Sequence, residues 1–364
     1  MTRKLIVHIG HYKTGTTALQ VFCSNNSDLL LQNGINYSEV HRTNCKHSRF
    51  AFGLLKAAGV TTLMHGFSND EAPELAWQRL FDDVRANEAE TTLISSEEFM
   101  RIAVFPETAE RLKQIYAAHG LGIEVKVVVY LRPVEAQLRS WYNQMVKMNQ
   151  VIGDLDHALA DGSLEAVHYD YDAALRPWIE IFGTEALDIR RYPAPGSART
   201  ALFDDFFEML GFVPDLSDVA SGSDVNPRMD DRMLDAVRLA QNTGLRKPVA
   251  RNLRDRVAHF VEAQDALTRG AGGVDMANER VRTGLAALSK RIGSDLTDLG
   301  GPISPRPTGP DLDAVSLQVG YLTKETVRLT RELEQMSARL ADAEKIGRRQ
   351  PRGVRRVIKR ILGR

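Results

Sequence analysis

The stretch KLIVHIGHYKTGTTALQ, Lys4 to Gln20, constrains the fold more than any other part of the chain. A short apolar run ends in Gly10. Six residues with a second glycine, Gly15, follow, and then an apolar pattern with helical spacing begins. A strand that turns through a glycine loop directly into a helix belongs to α/β architecture. Such a loop aims backbone N–H groups at one point, and the helix dipole adds positive potential there. Gly10 and Gly15 allow close backbone approach, Lys13 brings a full charge, and Thr14, Thr16 and Thr17 bring hydroxyl donors. The loop is built for an oxyanion.

The rest of the chain extends this reading. EVKVVVYLRP, Glu124–Pro133, is a nearly continuous apolar run of the kind found in buried parallel strands. Weaker strand patterns occur at Gly34–Tyr37, Thr91–Ser96 and Ala186–Tyr192, with helical patterns over 16–31, 71–88, 106–119 and 134–148 and again beyond 199. Residues 41–68 give no clear assignment. The alternation predicts an open parallel α/β sheet flanked by helices, like that of P-loop nucleoside triphosphatases. Ligands in such sheets sit at the carboxyl ends of the strands, where Gly10, Glu97, Arg132 and Tyr192 fall.

The domain is expected to cover 1–295, with its core at 4–215 and a helical part at 225–295 that could form a lid. A Gly/Pro-rich linker follows at 296–311. From Leu312 to Ala343 apolar residues recur in alternating steps of three and four, interrupted by Thr326, which predicts a coiled coil over 312–346 and homo-oligomers. The tail 347–364 carries many Arg and Lys and no acid, with Val354, Val357, Ile358, Ile361 and Leu362 on one helical face. It reads as a basic amphipathic helix for an anionic membrane surface. It lacks aromatics for base stacking, so nucleic acid is not the expected partner. Overall, 47 basic residues balance 47 acidic ones, so global charge predicts no polyanion partner. Two cysteines cannot build a disulfide framework. With no signal-peptide or membrane-spanning pattern, the expected location is the cytoplasm, peripheral to the inner membrane face.

In the loop the lysine lies two residues before the second glycine, whereas a nucleoside-triphosphate loop has it immediately after. Lys13-Thr14-Gly15-Thr16-Thr17 instead resembles the 5′-phosphosulfate loop of PAPS-dependent sulfotransferases, PAPS being 3′-phosphoadenosine 5′-phosphosulfate. That family reads the 3′-phosphate with an arginine after a strand and a serine eight residues on. Arg132 and Ser140 stand at this spacing. Tyr192 matches an aromatic that often lies near the adenine. The R-K-G-x-x-G-D motif of cytosolic members is missing, and the resemblance, over about 4–215, is to bacterial and carbohydrate-type members.

The resemblance implies PAPS as sulfuryl donor; the sulfuryl group carries one charge, so no metal is expected, and the basic tail, which would hold the chain where lipid-linked glycans are built, points to a carbohydrate or glycolipid acceptor. The resemblance also implies a catalytic role for Lys13 and a base drawn from Glu97, then Glu98, then His47, since members use Glu or His. His8 and His11 read as structural. Two rivals stand beside this reading: an ATP-dependent kinase with an atypical loop, and a membrane-attached interaction protein without catalysis.

Overall fold

The computed structural model describes residues 3–61, 63, 71–148, 150–221, 272–303, 322, 326 and 328–341. They fall into two units, one holding 3–221 and 272–303 and the other holding 322–341.

The first unit is a five-stranded parallel sheet flanked by helices, as the alternation predicts. The strands are β1 (Arg3–Gly10), β2 (Ile35–Tyr37), β3 (Thr91–Ser95), β4 (Ile123–Leu131) and β5 (Leu187–Arg191), in the order β2-β3-β1-β4-β5. The helices are α1 (Thr16–Asn25), α2 (Ser27–Gln32), α3 (Ser48–Ala57), α4 (Pro73–Ala86), α5 (Pro106–His119), α6 (Val134–Lys147), α7 (Leu155–Ala160), α8 (Tyr171–Phe182), α9 (Ala201–Leu210), α10 (Ser217–Ser221) and α11 (Gly273–Ile292). The chain adds β2 and β3 on one side of β1 and β4 and β5 on the other. The carboxyl end of β1 is therefore a switch point, where the flanking connections diverge and leave a crevice.

Burial explains the sheet's legibility. From Leu5 to Gly10 every residue of β1 is buried, and so are Val127–Leu131 of β4. Both faces of these central strands are covered, so their sequence is apolar rather than alternating. One main cluster joins Ile6, Val128 and Tyr130 of the sheet to Leu19 and Cys23 of α1 and to Phe203, Phe206 and Phe207 of α9.

Several expectations are corrected. The helix expected over 16–31 is broken at Asn26, whose side-chain amide donates to the Phe22 carbonyl at 2.9 Å and diverts the backbone. The unassigned region contains α3, which buries Phe50, Ala51, Leu54 and Leu55 on one face. The start of the expected linker is packed: Leu296, Leu299 and Ile303 are buried, and Asn278 of α11 exchanges two hydrogen bonds with the Ile303 backbone. Apolar residues spaced through Gly/Pro-rich sequence outweigh its composition. Within 225–295, α11 packs on α7 and α8 and is pinned by Asp156 Oδ1 on the Val274 N–H (2.7 Å) and by Arg291 on Asp172 (3.2 Å). This part is a buttress; the rest of the expected helical lid, 225–271, lies outside the described residues.

The second unit's described residues 328–341 are helical and exposed throughout. Leu322, Leu329, Leu333, Met336 and Leu340 of the heptad seam show between 44% and 65% of their surface. The rest of the seam and the basic tail lie outside the described residues. No described helix is long and apolar enough to cross a membrane.

Candidate functional site

The loop between β1 and α1 has the geometry of an anion cradle. Pairing of β1 with β4 slips between His8 and Gly10, and Gly10 turns the chain at φ 90°. A Cβ on Gly10 would stand 3.2 Å from the Glu97 Cα, so only glycine lets the end of β3 close against the loop. Lys13 (φ 65°) and Gly15 (φ 74°) are both left-handed. Alternating backbone handedness of this kind makes a nest of N–H groups facing one side. Among the described residues, the N–H groups of Lys13, Thr14, Gly15, Thr16 and Thr17 are donated to no group of the chain.

The threonines divide by role. The hydroxyls of Thr14 and Thr16 both donate to the His11 carbonyl, at 2.6 and 3.0 Å. The two expected side-chain donors are therefore used to shape the loop, while Thr17 is exposed at the first turn of α1. Gln137 of α6 clamps the same loop from below, donating to His11 Nδ1 (3.0 Å) and to the Tyr12 carbonyl (2.8 Å). His11 Nε2 then donates to the Val167 carbonyl (2.8 Å), and burial pushes this neutral ring down to about 4.

Three cations converge here. Arg132 Nη1 donates to the Lys13 carbonyl at 3.1 Å, and its guanidinium lies 4.9 Å over the Tyr192 ring. Lys13 Nζ donates to Gln144 Oε1 at 3.2 Å. Its pKa is lowered by burial first and then by the charges of Lys147 and Arg132. Like charges held together cost free energy in the protein alone and favour an anion between them. Tyr192 also flanks Gly15, 3.5 Å from where a Cβ would sit. The structure thus brings the loop, Arg132 and Tyr192 to one place. Ser140, half-buried on α6, lies one turn before Gln144 and on the same helical stripe.

The two glutamates part company. They open a 3-10 helix, Glu97–Val104, capped by the Ser96 hydroxyl, which accepts from the Glu98 N–H. Glu97 accepts from Lys46 Nζ (3.0 Å) and Gln20 Nε2 (3.1 Å). Burial pushes its carboxyl up, but the Lys46 charge and the hydrogen bonds outweigh burial and hold it below the usual carboxylate range. Glu98 is fully buried, and burial raises its pKa against the hydrogen bond it accepts from Tyr12 Oη (2.8 Å).

His47 is placed as a strut. Its Nδ1 accepts from the Ser95 N–H (3.1 Å), its Nε2 donates to the Ser38 carbonyl (2.8 Å), and burial lowers it to about 4. Neither nitrogen is left to take a proton, which removes the geometric ground for His47 as base. Burial likewise holds His8 at about 4, with Nδ1 2.8 Å from Ser95 Oγ. Gln20, Lys46, Gln137 and Gln144 are not among the site residues expected from the sequence. They come from a helix interior, a loop and a helix far along the chain, and polar residues at such positions look like ordinary surface. Among the described residues, no group of three His, Cys, Asp or Glu side chains could hold a metal ion.

No family model matches the chain, and no curated protein matches it in sequence. A crystal structure of a sulfotransferase from Alicyclobacillus acidocaldarius resembles it over 82% of this chain and 99% of that one, at 16% identity and a TM-score of 0.46.

Proposed function

We propose that this chain is a sulfotransferase that moves a sulfuryl group from PAPS to a hydroxyl of a carbohydrate or glycolipid and releases PAP, the 3′,5′-bisphosphate. The observation that carries this reading is the pairing of two anion sites. One is the loop of undonated N–H groups around Lys13, and the other is Arg132 at the end of the neighbouring strand, against Tyr192. A single phosphate chain needs only the first. A nucleotide with phosphates at both the 5′ and 3′ positions uses both, with Ser140 beside Arg132 and the Tyr192 ring toward the base.

In the reaction an acceptor oxygen attacks sulfur in line, the bond from sulfur to the 5′-phosphate breaks, and that phosphate leaves with the electron pair. Lys13 and the loop N–H groups stabilise the charge that grows on the leaving oxygens, a mainly positional and electrostatic task. Glu97 takes the acceptor proton. It is the carboxylate with some exposed surface, it stands against Gly10, and its lowered pKa keeps it ionised at neutral pH. Glu98, buried beneath Tyr12, holds the loop from behind. The exposed seam of 328–341 supports self-association of 312–346, and the basic tail supports attachment to an anionic membrane surface.

Labelled PAPS tests the reading: transfer of label to a glycan or glycolipid, lost in Lys13→Ala, is the expected result. Phosphate transfer from ATP to the same acceptors would overturn it.

A further inference from the structure

Gln137 and Gln144 stand two turns apart on one face of α6, and each fastens the loop. The Gln137 amide donates to the Tyr12 carbonyl at 2.8 Å and so fixes the backbone. Gln144 acts on the next residue and on its side chain: its Oε1 accepts from Lys13 Nζ at 3.2 Å. Lys13 is half-buried, and among the described residues this is the hydrogen bond its ammonium makes. The charges that act on that ammonium are both positive, those of Lys147 and Arg132.

An amide suits this place for a physical reason. Burial and the two neighbouring cations push Lys13 toward the neutral amine. A hydrogen bond to the charged form opposes that push, and the Gln144 oxygen supplies it without a countercharge. A carboxylate in its place would hold the ammonium more strongly, but it would cancel the charge and repel an incoming phosphate. An apolar side chain would leave the flexible lysine stem unrestrained. A site among like charges is also where an anion is favoured.

We infer that Gln144 is a positioning residue for the transfer: it holds the Lys13 ammonium at the anion of the loop and leaves its charge uncancelled. The 5′-phosphate of the nucleotide then meets an aimed, full cation. This rests on the transferase reading above.

Calorimetry of PAP binding to the full chain, from about pH 7 to about pH 10.5, tests the assignment. Wild-type affinity should fall along an alkaline limb as Lys13 loses its proton. Lys13→Arg should lack that limb, because a guanidinium stays charged throughout. Gln144→Met removes the accepting oxygen at nearly the same length. It should weaken PAP binding about tenfold at neutral pH and move the limb to lower pH. Gln144→Glu should also weaken PAP binding, by about tenfold or more, yet move the limb to higher pH. A role in packing alone moves neither limb, and damage to the fold does not move the two in opposite directions. A limb that stays in place in either variant, or wild-type affinity in Gln144→Glu, overturns the assignment and leaves the transferase reading standing. Failure of PAP to bind the wild type overturns both.

Discussion

Replacing Lys46 with alanine separates the forces acting on Glu97. The ammonium sits 3.0 Å from Oε1, and the two side chains are 24% and 14% exposed, so the pair is poorly screened by water. An opposite charge this close lowers a carboxylate pKa by about 1–3 units. Removing it leaves the Glu97 N–H and Gln20 to oppose burial, and burial is the largest influence on this group. The pKa of Glu97 should therefore rise, in the direction burial pushes it, past its unfolded value. In the wild type the folded pKa lies below the unfolded one. Glu97 then contributes stability that is present above the unfolded pKa and lost as pH falls through the folded pKa. In Lys46→Ala the order inverts, and stability falls as pH rises between the two values. At about 1.4 kcal/mol per unit, the variant should lose roughly 1.4–4 kcal/mol at neutral pH and much less at pH 4. Urea denaturation at both pH values measures this, and the acid limb of kcat should move upward by the same number of units. Equal destabilisation at both pH values, with an unmoved limb, would refute the coupling of Lys46 to Glu97.

Two further substitutions test the loop. Gly15→Ala demands a left-handed alanine whose methyl runs into Leu202 Cδ2; it should cost about 1–3 kcal/mol and abolish PAP binding, read by thermal melts with and without PAP. Tyr12→Phe leaves the buried Glu98 without its hydrogen bond. It should lower stability by about 1–3 kcal/mol and push the Glu98 pKa further up, so that the loss shrinks on acidification, measured by denaturation across pH 4–8.

The architecture is legible in the sequence because β1 and β4 are buried on both faces and the loop joins strand to helix without a break. Arg132 and Tyr192 fall beside Gly15 because both end neighbouring strands, and strand ends are where parallel sheets collect their ligand-binding groups. The supports of the site are not legible. Lys46 meets Glu97 across 51 residues, and Gln144 meets Lys13 across 131. Nothing in the local pattern distinguishes them from solvated residues. His47 shows the reverse error. The resemblance makes His47 a candidate base, yet its ring replaces a missing strand partner for Ser95 and leaves no nitrogen for chemistry. Thr14 and Thr16 err in the same way, since hydroxyls placed to reach an anion also reach the nearest carbonyl.

On the proposed reading, the loop and Arg132 together hold a nucleotide carrying phosphate at both the 5′ and 3′ positions of its ribose. Calorimetry of PAP and ATP binding to the wild type and to Arg132→Ala tests it most directly. PAP should bind much more tightly than ATP, and the substitution should remove most of that preference while leaving the fold intact. ATP binding as tightly as PAP, or a preference for PAP that survives loss of Arg132, would contradict it.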